Sequence, residues 1–198
     1  MECLNIKSGF EKLFLAEMLA ISAMIISLFT DTLLILCLVE LVLLTISYIV
    51  TLIGLSKLAK DDEGYKKAYI WKLVNVLVTV VCIILILLME NNSLTASYLT
   101  VFSGIVDDVV EFLVAFFVVR TSIEVCKNIS NNSMAKYNKT TLTICTITYC
   151  FGILLSMIKY LPTNAVLPTA LIALAIMLTA KIVYFVFLIK MIGVLKNK

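Results

Sequence analysis

The chain of 198 residues has no histidine, two prolines, six glycines, one tryptophan and a single arginine, Arg120, and only 15% of its residues are charged. Each shortage removes a class of chemistry. Without histidine there is no imidazole to ligate a metal or to shuttle protons near neutral pH. Six scattered glycines build no phosphate-cradling loop, and no Walker, dinucleotide or nucleophile-elbow motif occurs. The six cysteines, Cys3, Cys37, Cys82, Cys126, Cys145 and Cys150, contain no CxxC pair and sit mostly in apolar runs. That spacing suits neither a zinc site nor a disulfide-stapled secreted domain. With so few charges, a net charge of +3 makes no nucleic-acid-binding surface.

What the chain has in excess is apolar side chain: 62% of residues are hydrophobic and the mean hydropathy is +1.10. Soluble domains run at roughly 45–50% apolar and about 25% charged, and one core cannot absorb the surplus. An integral membrane protein is the class that remains. A spanning helix needs about 20 mostly apolar residues, and six runs qualify: Lys12–Phe29, Thr32–Lys57, Tyr69–Met89, Tyr98–Ser122, Thr140–Tyr160 and Leu167–Lys190. They are too long for barrel strands, which alternate over ~10 residues. The expected fold is all-α, a polytopic bundle of six transmembrane helices forming a single membrane domain.

Orientation follows the lysines. Lys7 and Lys12 precede the first run; Lys57, Lys60, Lys66, Lys67 and Lys72 crowd the second connection; Arg120, Lys127, Lys136 and Lys139 crowd the fourth; Lys190, Lys196 and Lys198 close the chain. The first, third and fifth connections hold no Lys or Arg, with Lys159 alone near that side. By the positive-inside rule both termini are expected in the cytoplasm. Acidic Glu11 and Glu17 interrupt the N-terminal run, so it is expected to stay as a span and not to be cleaved as a signal peptide. Of the sequons at Asn91, Asn128, Asn131 and Asn138, Asn91 alone would face outward. The Ile-, Lys- and Asn-rich composition points to a bacterial plasma membrane.

The connections carry a repeat. Gly9-Phe10-Glu11-Lys12, Gly64-Tyr65-Lys66-Lys67 and Lys136-Tyr137-Asn138-Lys139 each place a lysine two residues after an aromatic. Leu52–Lys57, Ser122–Lys127 and Met191–Lys196 close the even runs, the first and last sharing Ile-Gly and a lysine. Three tandem two-helix hairpins are therefore expected, about 1–60, 61–130 and 131–198. Between them, Ser56–Asp62 and Ile123–Ser130 should prolong the second and fourth helices, with Gly64 and Asn131-Asn132-Ser133 supplying the turns.

The exceptions to apolarity are the candidate functional residues. Glu40, Asp107, Asp108, Glu111 and Lys181 lie well inside the runs, where an unpaired charge costs at least ~2.5–3.5 kcal/mol. Glu40, Glu111 and Lys181 are 71 and 70 residues apart, close to the repeat register. Polar stripes at helical spacing accompany them: Thr100, Gly104, Asp107, Glu111, Ala115 and Ser122; Glu40, Ser47, Thr51 and Gly54; Lys72, Asn75, Thr79 and Cys82; Thr141, Cys145, Thr148 and Gly152. Small and hydroxylated side chains of this kind also serve as interhelical glue. Four of the five ionisable residues are acids, and Lys181 neutralises one, with Glu111 the expected partner. The remainder must take up a proton or a hard cation on oxygen ligands from Glu40, Asp107 and Glu111. No other cofactor is expected. Glu17, nearer the first helix's cytoplasmic end, is expected to pair with Lys12 or Lys72, and Ala16, Ala20 and Ala23 to mark a close-packing face.

Two partial resemblances bear on function. Asp107-Asp108-Val109-Val110-Glu111 resembles the DDxxE pattern by which membrane prenyltransferases hold magnesium and diphosphate. Those enzymes use a second acidic motif, and the other cluster here, Asp61-Asp62-Glu63, falls in a cytoplasmic connection. A six-span chain of this size with a small-xxx-small motif at Ala16 and Ala20 is also similar to the substrate-binding subunits of energy-coupling-factor transporters. The sequence favours a non-catalytic protein: a small transporter or channel-like protein, alone, as a homo-oligomer or with a partner subunit in the bilayer. The alternative is an assembly or regulatory subunit that transports nothing.

Overall fold

A computed structural model describes residues 2–27, 34–88, 93–158 and 166–196. The expected separators around Asp31, 90–92 and Pro162, with Asn91 and Lys159, lie outside the described residues. Six α-helices occur among the described residues: α1 (Glu2–Ser27), α2 (Leu34–Leu58), α3 (Glu63–Leu88), α4 (Ser93–Asn128), α5 (Asn132–Ile158) and α6 (Val166–Lys196). Three of them are long and apolar enough to cross a membrane, over Ile35–Leu58, Glu63–Leu88 and Ile172–Lys196.

The turns between helices are built by side-chain caps. Asp62 Oδ1 accepts a hydrogen bond from Gly64 N at 2.7 Å, satisfying a first-turn amide of α3. Gly64, expected in the turn, is therefore helical, and residues 59–62 make the connection. After α4 the chain closes with Asn131 N bonded to Cys126 O at 2.8 Å and Ser130 N to Lys127 O at 2.9 Å, the paired bonds of a Schellman ending. Ser130 takes φ 60° there, a left-handed conformation usually given to glycine. Asn131 Oδ1 then accepts from Met134 N at 3.0 Å and starts α5. This turn falls where the Asn131-Asn132-Ser133 run was expected to place one.

The chain divides into two compact units, Met1–Tyr69 with Lys181–Lys198, and Ile70–Ala180. In the first, α1 and α2 pack antiparallel: Lys57 Nζ donates to Ser8 Oγ at 2.8 Å at one level, and Ser47 Oγ donates to the Ala16 carbonyl at 2.8 Å at another. Gly9 and Gly54 face each other where the helices cross; a Cβ on Gly54 would lie 3.1 Å from the Gly9 carbonyl oxygen. Ala16, Ala20 and Ala23 are buried, as the small-residue face required. The C-terminal half of α6 runs antiparallel to α1, with Phe10 edge-on to Phe187 and Phe14 stacked on Phe185 at 4.8 Å. Phe10, Leu55, Leu58, Tyr65, Phe187 and Leu188 are wholly buried.

In the second unit α4 and α5 pack antiparallel. Phe112 meets Tyr149, and Asn138, wholly buried, donates from Nδ2 to the Ser122 carbonyl at 3.4 Å and to Cys126 Sγ at 3.5 Å. Burial pushes the Cys126 thiol up from its ordinary value, and the Asn138 hydrogen bond offsets part of that rise.

Candidate functional site

The two faces of the helices are sorted in the sense opposite to a water-soluble domain. On α2, Ser47 and Gly54 are buried and Glu40 and Thr51 half-buried, while Ile35, Leu38, Val42, Ile49 and Ile53 on the opposite face are exposed. On α3, Lys72, Asn75 and Cys82 are buried while Leu77, Val81, Ile84 and Leu88 face outward, Leu88 at 75% exposure. On α5, Thr141, Cys145 and Gly152 are buried while Ile147, Phe151 and Leu154 are exposed. Water would penalise those outward faces, whereas lipid tails solvate them as well as a protein core does. Polar side chains turned inward find partners that lipid cannot supply.

Within the first unit the inward polar set contains an ion pair. Lys181 Nζ on α6 lies 3.6 Å from Glu17 Oε1 on α1, with side-chain exposures of 8% and 15%. Phe14 stacked on Phe185 lies one turn along both helices and bounds the pair on one side. Ser47 anchors α2 to the carbonyl of Ala16, the residue before Glu17. Lys181, which the sequence did not offer to Glu17, forms a salt bridge with it. Glu40 is half-buried on α2 in the same unit.

Within the second unit Asn75 Nδ2 on α3 donates to Asp107 Oδ1 on α4 at 2.6 Å. Asn75 is wholly buried and Lys72, one turn earlier, is 5% exposed. Asp108 and Glu111 are half-buried on α4. Glu111 follows Asp107 by one turn, so both lie along the same stripe. An amide donating to a carboxylate is a charge-assisted bond, stronger than its neutral equivalent. A side-chain amide carries an acceptor oxygen as well as its donor nitrogen, so Asn75 is chemically able to serve either a carboxylate or a carboxylic acid.

No group of three or more Cys, Asp or Glu side chains comes together to hold a metal ion among the described residues. Glu17 and Asp107 each meet a nitrogen from a neighbouring helix, Lys181 Nζ and Asn75 Nδ2 respectively. Sequence reasoning placed Asn75 on an inward stripe but left Glu17 out of the interior set. The available signal was its position between Leu13 and Ala20, both buried, on the inward side of α1.

Set against protein-family models, curated proteins and solved structures, the chain matches none of them.

Proposed function

We propose that this chain is a six-span membrane protein of three tandem two-helix hairpins, with both termini in the cytoplasm, that handles protons through ionisable groups in its interior. A bacterial plasma membrane fits its composition. Support for the topology comes from the apolar outer faces of α2, α3 and α5 and from the one-sided distribution of lysine and arginine. The observation that carries the functional reading is the bond between Asp107 and Asn75. It holds an acid on an inward polar stripe with a partner chemically able to serve the carboxylate and the carboxylic acid alike.

Charge balance supports the same reading. Glu17, Glu40, Asp107, Asp108 and Glu111 outnumber Lys72 and Lys181 among the ionisable groups along the helices' inward faces. In a low dielectric a surplus of carboxyl groups over cations favours proton uptake. A chain of this size that changes proton occupancy is suited to act as a proton-linked transporter or channel-like protein, alone, as a homo-oligomer or with a partner subunit. The residues assigned to that work are Asp107, Asp108 and Glu111 in one unit and Glu40 and Lys181 in the other.

The test is proton flux into sealed vesicles reconstituted with the purified chain, read with a trapped pH-sensitive dye under an imposed potential. Flux above that of protein-free vesicles, lost in Asp107→Asn and retained in Ser22→Ala, is the expected result. A flux unchanged by combined Glu40→Gln, Asp107→Asn and Glu111→Gln substitution overturns the proposal. Absence of flux from a well-folded wild-type protein also does so, and leaves a regulatory or assembly subunit as the better account.

A further inference from the structure

Arg120 is the only arginine in the chain, and it faces a cleft between α4 and α5 of about 570 Å³. Lys127, Lys136 and Lys139 line the same cleft, against one carboxylate, Glu124. None of the four cations forms an ion pair among the described residues. Arg120 holds its guanidinium 5.9 Å from the centre of the Phe116 ring, a cation–π arrangement that orients the planar fork without consuming its hydrogen-bond donors. Positive-inside topology calls for a number of basic residues on one side of a membrane. It does not call for four of them to converge on one concavity, where they repel each other unless an anion is present.

The walls of the cleft are ordered along the helices. Phe116 lies one turn before Arg120 on α4, and Leu142 lies one turn after Lys139 on α5. Because the two helices are antiparallel, Phe116 and Leu142 sit together on one side of the cations, toward the spanning parts of α4 and α5, while Ile123 and Ala135 lie among the cations. A ligand that fits this order is amphipathic, with an anionic head among the arginine and lysines and an apolar body beside Phe116 and Leu142. A free phosphate uses only the first half of that surface.

We propose that the cleft binds the phosphate headgroup of an anionic phospholipid from the cytoplasmic leaflet, with the acyl chains passing Phe116 and Leu142. Arg120 supplies bidentate contacts to the phosphate oxygens and the lysines supply point charges. This rests on the topology proposed above, which puts that end of α4 and α5 at the cytoplasmic surface.

The chain, purified in a non-ionic detergent and stripped of lipid, is titrated with phosphatidylglycerol, with phosphatidylcholine and with inorganic phosphate. Bound lipid is counted by native mass spectrometry. Phosphatidylglycerol is expected to bind preferentially, and Lys136→Gln with Lys139→Gln to weaken it by about thirtyfold, given roughly 1 kcal/mol per basic residue near an anionic headgroup. Arg120→Gln alone should weaken it by about fivefold. Lys66→Gln with Lys67→Gln, which removes two exposed lysines from α3, should leave binding unchanged. Far-UV circular dichroism verifies folding, and the exposed Lys136 and Lys139 pair carries the test if Arg120→Gln unfolds the protein. Equal binding of phosphatidylcholine, equal competition by inorganic phosphate, or an equal loss in the Lys66/Lys67 variant overturns the proposal. Measurement in detergent is independent of orientation and flux. Selective binding without flux fails only the functional reading, flux without selective binding fails only this one, and outside-only labelling of Ser133→Cys in intact cells shows whether this end is cytoplasmic.

Discussion

Replacing Lys181 by methionine removes a charge while keeping an unbranched chain of similar length, and it takes the Lys181 ammonium away from Glu17. At the observed 3.6 Å the attraction between unit charges is about 4–5 kcal/mol for an effective dielectric near 20. Insertion measurements set the penalty of one unpaired charge near a helix centre at about 2.5–3.5 kcal/mol. Exposures of 8% and 15% leave little solvent to screen the charge left behind. The insertion scale puts the loss for Lys181→Met, and for Glu17→Gln, at about 3 kcal/mol each, with the Coulomb figure as an upper bound. The double variant carries neither charge; replacing a buried pair by neutral groups is often neutral or better, so its loss should be about 1 kcal/mol, against ~6 kcal/mol for additive effects. Unfolding from detergent micelles by added sodium dodecyl sulfate, followed by far-UV circular dichroism, reads all four proteins. A double variant as unstable as the sum of the singles refutes the pairing. Single losses below about 0.5 kcal/mol would show that water reaches both groups.

Packing and backbone geometry give further expectations in the same assay. A Cβ on Gly9 would meet Leu58 Cγ at 2.6 Å and Cδ2 at 2.7 Å, with Leu58 wholly buried, so Gly9→Ala should destabilise by about 1–3 kcal/mol. Gly193→Ala meets nothing within 4 Å and should be neutral or stabilising by up to about 1 kcal/mol. Ser130→Gly should stabilise by about 1 kcal/mol, because it relieves the left-handed φ of 60°; no gain would mean that the serine hydroxyl offsets the strain. Burial holds the Cys126 proton to higher pH, so the thiolate fraction at pH 8 is smaller than that of an exposed thiol. Maleimide labelling of Cys126 should rise with pH over a range above that of an introduced Ser133→Cys, and equal rates at pH 8 would contradict the burial.

How much was legible in the sequence depended on range. The inward stripes on α2, α3 and α5 are local, set by a 3.6-residue period, and the structure buries Ser47, Asn75, Cys82, Thr141 and Cys145 on them. The close-packing alanines of α1 were visible for the same reason. Turn detail was less so: Gly64 reads as a breaker, yet Asp62 caps the helix ahead of it. Pairings between helices were the least visible. Glu17 and Lys181 lie near opposite ends of the chain, and a periodic pattern says which way each points without saying which helix it meets. The same limit hid the α4–α5 cleft, whose four cations were counted from sequence as topology and gain a common target only when two helices bring them together.

The buried charges also separate a structural account of this protein from a functional one. If Glu17 and Lys181 serve only to hold α1 against α6, neutralising both should leave a protein of nearly wild-type stability that still conducts whatever it conducts. If they belong to the proton-handling interior, that double variant should fold and fail. The same reasoning applies to Asp107 and Asn75, where Asp107→Asn preserves a hydrogen-bonding side chain of equal size but can no longer gain and lose a proton. Stability and flux measured on the same variants are therefore worth more than either alone. A stable, silent Asp107→Asn beside a stable, active Glu17→Gln/Lys181→Met would assign the chemistry to the second unit and the ion pair to packing, and the reverse pattern would exchange those roles.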